Sequence, residues 1–249
     1  MSPGQKGLYT KKYGQVLLRN PKVANFEVEA LKLPPGSRIL EIGPGRGFLT
    51  GMLLERGYVV SAIEPDHRFV EELLGTFGAQ VRSGSLTITK ASFLDTPGQE
   101  YDGIIGNVPY HISSQIIFHI GRFTFKRAIL MLQREFCSRL VAQAGTEDYS
   151  RLSVNAQLRF RITIIAKVSR NSFNPVPDVD SSVLEIIPRN QYEEEAIQKA
   201  DEVFRLLFSN RRKKLSSSLK GLPEEIGNKR VNELSPEKLL ELALNEITG

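Results

Sequence analysis

Four consecutive residues, Asn107-Val108-Pro109-Tyr110, combine the parts needed to hold a planar base bearing an exocyclic amine. An amide side chain accepts a hydrogen bond, a proline stiffens the turn, and an aromatic face stacks on a base. An amine conjugated to a ring is a poor nucleophile because its lone pair is delocalised. If the Asn107 oxygen and a carbonyl such as that of Val108 accept its two hydrogens, the nitrogen pyramidalises and its lone pair is aimed at an electrophile. Tyr110 would stack on the flipped base, and Phe173, within Phe173-Asn174-Pro175-Val176-Pro177, is a candidate to close the other face, although a loop anchor in the core explains Phe173 as well.

A second constellation precedes this one. Gly43, Gly45 and Gly47 form a turn between an apolar run and a helical run. Such a turn lets a ligand approach the backbone, and the helix start offers unpaired amides to an anionic group. The dinucleotide fingerprint requires a third glycine one position later, where Phe48 stands, which disfavours NAD or FAD. S-adenosylmethionine fits better because it has no pyrophosphate to cradle. Glu64 follows Gly43 by 21 residues and ends the second apolar run, where a carboxylate can accept both ribose hydroxyls. Asp95, after the third run, is placed to accept from the cofactor's adenine amine. Singly, each of these residues has an ordinary reading as a packing glycine, a surface acid or a turn. Their order along one sheet favours a cofactor site.

The elements that must position these residues alternate. A helix carrying Val23, Phe26, Ala30 and Leu31 ends at Pro34-Pro35-Gly36. Strands are predicted at 38–42, 58–63, 86–91, 102–106 and 128–132, with helices at 47–55, after Asp66, and at 112–120 between them. A capped helix at 150–160 and two strands, 162–168 and 182–187, follow. The alternation implies an α/β fold with a mostly parallel sheet covered on both faces. Beyond Pro188 only helical patterns remain, with Ile197, Ala200, Val203, Phe204 and Leu207 on one face. The expected division is therefore a domain over 1–188, with an N-terminal arm over 1–18, and a small all-helical domain over 189–249.

Composition narrows the function classes. With 249 residues and 41% hydrophobic content the chain can bury a full core. No apolar run is long enough to span a bilayer and the basic start lacks a secretory core, so the cytoplasm is the expected compartment. The single cysteine, Cys137, reads as a core residue, and the three histidines form no metal-ligand spacing, so no metal is expected. The net charge of +5 points only mildly to a polyanion. Residues 187–249 hold 11 Lys or Arg and 11 Asp or Glu, so the tail is neutral despite the block Arg211-Arg212-Lys213-Lys214. Such a block is either a solvated face or a phosphate clamp.

Taken together, Tyr13-Gly14-Gln15, Glu41-Ile42-Gly43-Pro44-Gly45-Arg46-Gly47, Glu64, Asp95, Asn107 to Tyr110, Phe173 to Ser181 and Phe208 to Leu215 resemble the ribosomal small-subunit RNA adenine N6-dimethyltransferase family over nearly the whole chain. The resemblance implies a Rossmann-like class I methyltransferase sheet with a small helical C-terminal domain, S-adenosylmethionine as cofactor, and two adjacent adenosines near the 3′ end of small-subunit rRNA as substrate. It implies cofactor contacts from Gly43, Gly45, Glu64, Asp95 and Asn107, with Gln15, Val16 and Leu18 in an arm that closes over the site. RNA contacts are expected from Lys11, Lys12, Arg211, Arg212, Lys213 and Lys214, and a monomer is the default expectation for the oligomeric state. Two competing readings are a large-subunit rRNA adenine methyltransferase of the antibiotic-resistance type and a non-catalytic ribosome assembly factor. Val16 stands where the family usually has Asn, which removes a polar cofactor contact, and Val108 stands where Leu is more frequent.

Overall fold

The computed structural model describes residues 16–248. Gln15, Lys11 and Lys12 lie outside the described residues. Seven strands form one sheet: β1 (Arg38–Ile42), β2 (Val59–Ile63), β3 (Leu86–Thr89), β4 (Gly103–Asn107), β5 (Arg127–Gln133), β6 (Phe160–Val168) and β7 (Ser181–Pro188). Their order across the sheet is β3-β2-β1-β4-β5-β7-β6. The first five are mutually parallel and β7 runs antiparallel to β5, with Leu130 opposite Leu184. The strand order reverses between β1 and β4. In open sheets of this kind ligands bind at that switch point, beyond the carboxyl ends of the strands. The predicted strands are all present, shifted by one or two residues at their ends.

Helices between the strands cover the sheet. Helix α1 (Pro21–Ala30) starts at Asn20, whose side chain accepts the Lys22 amide at 3.1 Å, with Pro21 in the first turn. Its inward face is Ala24, Glu27, Val28, Ala30 and Leu31, with Val23 packed against the same core. Of the expected face Val23, Phe26, Ala30 and Leu31 only Phe26, 38% exposed, turns outward, and the neighbouring Glu27 takes the inward position instead. Helix α2 (Phe48–Glu55) follows the glycine turn, and α3 (His67–Thr76) is capped by Asp66, which accepts the Arg68 amide at 3.0 Å. A five-residue helix, α4 (Gly78–Arg82), follows it, and α5 (Ser113–His119) joins β4 to β5. Ile39, Val60, Ala62, Ile105 and Ile129 from the sheet pack with Val28, Leu31 and Leu53 in one core cluster.

By packing, residues 16–134 and 163–187 form one compact unit, and residues 135–162 with 188–248 form the other. The expected helical domain over 189–249 is thus only part of the second unit. Its core explains the addition. Helix α6 (Arg134–Val141) is followed by α7 (Arg151–Arg159), whose Val154 and Leu158 share a cluster with Ile197, Phe204 and Leu207 of α8 (Glu194–Ser209). A one-turn helix, α9 (Glu224–Gly227), precedes α10 (Pro236–Thr248), which adds Leu239, Leu240 and Ala243. Arg151 and Asp201 form a two-pronged ion pair with both distances at 2.9 Å, and the buried Tyr149 hydroxyl donates to the Leu234 carbonyl at 2.9 Å. Cys137 is buried and its thiol is pushed up to about 12 by burial, in keeping with a core role.

One glycine is required by packing. Gly47 has φ +81°, and a Cβ there would meet Phe77 at 2.5 Å and Leu73 at 2.7 Å. Gly47→Ala is expected to lower stability by about 2 to 4 kcal/mol through strain and overpacking. Gly84→Ala, at φ +78° with nothing within 4 Å of the added carbon, carries only the backbone strain of about 1 kcal/mol. Thermal or denaturant unfolding of the two variants measures the difference.

Candidate active site

A cavity of about 140 Å³ opens where β1, β2 and β4 end, lined by Gly43, Glu64, Asn107, Pro109, Tyr110 and Phe173 among others. A second hollow shares Val16, Leu17, Gly43 and Asn107 with the first and continues under the glycine turn past Pro44 and Phe48. The two constellations predicted from spacing therefore meet around one space. What brings them there is register. Ile42, the last residue of β1, pairs with Gly106, so Gly43 and Asn107 leave neighbouring strands at the same level.

The glycine turn is shaped to admit a ligand. Gly43, Gly45 and Gly47 all have positive φ, at +66°, +54° and +81°. A Cβ on Gly43 would meet no atom within 4 Å, so that backbone faces open space, whereas one on Gly45 would approach Leu17 at 3.1 Å. Glu64 is buried, and both its oxygens accept backbone amides, Oε2 from Gly45 at 3.1 Å and Oε1 from Asp66 at 3.0 Å. Burial raises its pKa, partly offset by those two amides. Each oxygen retains a further acceptor direction, so the carboxylate can still receive hydroxyl donors.

At the other end, the Asn107 side-chain oxygen is buried and accepts no hydrogen bond. A buried acceptor left unpaired costs about 1–3 kcal/mol, so this atom is set up for a donor from outside the protein. Val108 is buried and its amide donates to the Met131 carbonyl at 3.2 Å, which fixes the start of the turn. Pro109 has φ −57° and leads into a short 3-10 turn at Tyr110–Ile112. The Tyr110 hydroxyl lies 2.9 Å from the Ser181 hydroxyl, so the ring is held at the cavity wall, and burial raises its pKa. Phe173 is 4% exposed and lines the same cavity, which joins the two readings given to it: it is a packed anchor with a face on the site.

The entry segment is positioned by a contact that spacing does not show. Leu17–Leu18 pairs antiparallel with Phe173–Asn174, Leu18 opposite Phe173, so the end of the arm and the Phe173 loop hold each other. Val16 lines both hollows, and Leu18 lines the second.

Asp95 is a correction. It closes a 3-10 turn (Phe93–Asp95), is exposed, and does not line the cavity. Ser92, Phe93 and Leu94 occupy that wall instead. Three residues separate β3 from the turn at Phe93, and the last of them, Ser92, three positions before Asp95, lines the site. The basic block is also more occupied than a solvated face would be. It lies in the turn after α8, where Arg211 donates to the carbonyls of Thr146 at 3.2 Å and Glu147 at 2.7 Å, and Lys214 to the Asn228 side chain at 2.9 Å. Arg212 and Lys213 are exposed.

Sequence reasoning missed two buried carboxyls. Glu27 of α1 has no solvent exposure and Glu41 of β1 only 1%. Thr50 donates to Glu41 at 2.7 Å, but the other Glu41 oxygen and both Glu27 oxygens have no hydrogen-bond partner. An acid inside the i, i+4, i+7 set Ala24, Val28, Leu31 was the available signal. Burial lifts Glu27 to about 8 and Glu41 to about 7.

The strand order defines the class of protein: an α/β fold of the S-adenosylmethionine-dependent methyltransferase type, with a helical unit added. The family model for ribosomal RNA adenine dimethylase matches residues 8–243, and the chain belongs to that family. It is 40% identical over 214 residues to a ribosomal RNA small subunit methyltransferase of Arabidopsis thaliana, a match covering 85% of this chain and 61% of that protein. The chain thus spans about three fifths of that relative's length. A crystal structure of a dimethyladenosine transferase from Plasmodium falciparum superposes with a TM-score of 0.78 at 29% identity, covering 93% of this chain and 98% of that one. The 23S rRNA methyltransferase ErmE superposes with a TM-score of 0.72 at 27% identity, covering 93% and 99%. Among the described residues no group of His, Cys, Asp or Glu could hold a metal ion, and no helix is long and apolar enough to cross a membrane.

The two buried acids make stability depend on pH. Their folded pKa values lie above the ordinary 4.5, so the folded state holds protons that the unfolded chain releases. The resulting stabilisation is complete below pH 4.5 and is lost as pH rises through about 7 and 8. The melting temperature is expected to fall between pH 6 and pH 9, and Glu27→Leu to flatten that decline. Calorimetry across that range would count against the assignment if the two proteins declined in parallel.

Proposed function

We propose that the protein transfers methyl groups from S-adenosylmethionine to the N6 amines of two adjacent adenosines near the 3′ end of small-subunit rRNA. The observation that carries this reading is the Asn107 oxygen, a buried acceptor with no partner on the wall of a cavity that also presents Tyr110 and Phe173. Family membership and the name of the Arabidopsis relative favour the small-subunit substrate.

The residues present fit the cofactor. Gly43 leaves its backbone face open, Glu64 offers a preset carboxylate, and Val16 and Leu17 form an apolar wall. When bound, S-adenosylmethionine supplies an electrophilic methyl carbon on a sulfonium, so no strong base is required of the protein. The chain's part is positioning and electrostatics. Asn107 and the Val108 carbonyl accept the two amine hydrogens, and both bonds tighten as positive charge develops on the nitrogen. Each such charge-assisted bond is worth about 1.5 to 3 kcal/mol. Tyr110 and Phe173 hold the base plane between them. The proton leaving the methylated amine goes to water.

Of the basic block, Arg212 and Lys213 are the residues we assign to RNA phosphates, since Arg211 and Lys214 are engaged within their own unit. Lys11 and Lys12 keep the same assignment as an expectation from sequence.

Methyl-labelled S-adenosylmethionine offered with small subunits lacking the modification tests the reading. Label at two adjacent adenosines supports it. Label only in large-subunit RNA, or tight subunit binding with no label, replaces it with one of the competing readings. Asn107→Ala should lower the rate about 10- to 100-fold with folding retained, as expected for one lost charge-assisted bond. A variant of undiminished rate removes the amine-positioning argument. Converting Arg212 and Lys213 to Ala should weaken subunit binding and reduce the slope of log affinity against log salt by up to about two. An unchanged slope assigns the pair to solvent.

A further inference from the structure

The cavity wall farthest from Asn107 in strand order is held from behind by a histidine that the reaction leaves unused. The strands run β3-β2-β1-β4, and Ile63 of β2 pairs with Thr89 of β3, so the segment after β3 flanks Glu64 on the side away from Asn107. That segment, Ser92–Leu94, lines the cavity. A cofactor with its ribose on Glu64 and its methyl aimed at Asn107 extends its purine toward this wall.

The wall is a three-residue 3-10 turn, a geometry with weak bonds of its own. Inside the turn, the Asp95 amide donates to the Ser92 carbonyl at 3.1 Å, and the Thr96 amide and hydroxyl both donate to the Phe93 carbonyl, at 3.1 and 2.6 Å. His119, the last residue of α5, holds it from outside. Its Nε2 lies 3.1 Å from the Thr96 carbonyl. A carbonyl oxygen only accepts, so Nε2 carries the hydrogen. The same ring stands edge-on to Phe93, with centroids 4.9 Å apart and planes at 86°, while Phe123 stacks on Phe93 at 5.2 Å and meets the imidazole at 5.7 Å. His119 thus grips the turn twice, through its backbone and through the Phe93 ring.

The element that carries His119 is itself fixed to the site. Helix α5 contributes Ile116 to the cavity, and the Ser113 hydroxyl at its start donates to the Tyr110 carbonyl at 3.0 Å. His119 is buried and does not line the cavity.

We propose that His119 is a positioning residue for the methyl donor, whose Nε2–H and ring edge hold the Phe93 wall in place for the cofactor's purine. This rests on the proposed use of S-adenosylmethionine and deepens it. His119 acts through Thr96 and Phe93. Without its grip the turn is looser, the ligand has to order it on binding, and that cost is drawn from affinity. Methyl transfer takes place at the Asn107 end, so the loss belongs in KM for the cofactor and not in kcat.

The test uses the full chain and compares the parent with His119→Leu, which cannot donate, and His119→Gln, whose Nε2–H can. Calorimetric titration uses S-adenosylhomocysteine and 5′-methylthioadenosine, which keeps purine and ribose but lacks the amino-acid end. His119→Leu should weaken both ligands by the same factor, about fivefold to tenfold, the worth of one net hydrogen bond. KM for S-adenosylmethionine should rise alike on under-methylated small subunits, with kcat within about twofold of the parent. His119→Gln should bind both ligands within about twofold of the parent. Should His119→Leu not fold, His119→Phe, which fills the space but likewise cannot donate, takes its place with the same expected losses.

Unchanged affinity in the donorless variant overturns the inference, as does a loss of kcat at unchanged KM or a His119→Gln protein as weak as His119→Leu. A loss for S-adenosylhomocysteine with none for 5′-methylthioadenosine assigns the wall to another part of the ligand and overturns it too. Gly84→Ala serves as the control for stability: if it weakens binding as much for the same fall in melting temperature, His119 serves folding alone and the proposal fails. A parent protein that binds neither ligand defeats the cofactor reading instead, which separates the two failures.

Discussion

The close approach of β1 and β4 is the constraint on which the site depends. A Cβ on Gly106 would lie 2.7 Å from the Ile42 carbonyl and 3.0 Å from its Cβ, so the strands can meet at this level only with a glycine there. Their pairing delivers the glycine turn and the Asn107 turn side by side at the carboxyl edge of the sheet. Every other feature of the cavity is arranged around that junction. The groups proposed for the cofactor come off β1 and β2 and those proposed for the base come off β4, with the Phe173 loop closing in from the antiparallel end. The Leu17–Leu18 segment pairs with that loop, so the two flanking walls support one another rather than standing as separate flaps.

The site is built by two different means. On the cofactor side, backbone does the holding: amides of Gly45 and Asp66 grip Glu64, and the positive φ values of the glycines set the turn. On the base side, side chains do it. Tyr110 is fixed by Ser181, and the Asn107 oxygen is buried without a partner. The first arrangement presents donors and acceptors to a ligand whose shape varies little. The second must hold a single amide at one angle, and small differences in that angle decide whether an amine is a nucleophile.

Much of this was legible in the sequence. Strand after strand appeared as a short apolar run, and caps at Asp66 and Ser150 marked helix starts, because local chemistry determines them. Gly43, Glu64, Asn107, Tyr110 and Phe173 line one cavity, as their order along a sheet led one to expect. Three things were hidden. Asp95 looked like a site residue because spacing cannot tell which residue of a short turn faces inward, and Ser92 faces inward. The second unit extends back to 135–162 because the apolar faces of α6 and α7 reveal that they need cover but not which helices supply it. Glu27 was invisible because pattern reading assigns charges to the outside, and this carboxyl lies on the inner face.

The backbone grip on Glu64 has an evolutionary corollary. Because main-chain amides hold that carboxylate, no substitution at a neighbouring side chain can release it, and drift nearby leaves it in place as long as the strand and turn persist. Asn107 has no such insurance, since its surroundings are residue identities rather than peptide geometry. Under the proposed function, substitutions around Asn107 would alter how the base is presented, while those around Glu64 would leave the backbone-held carboxylate in place.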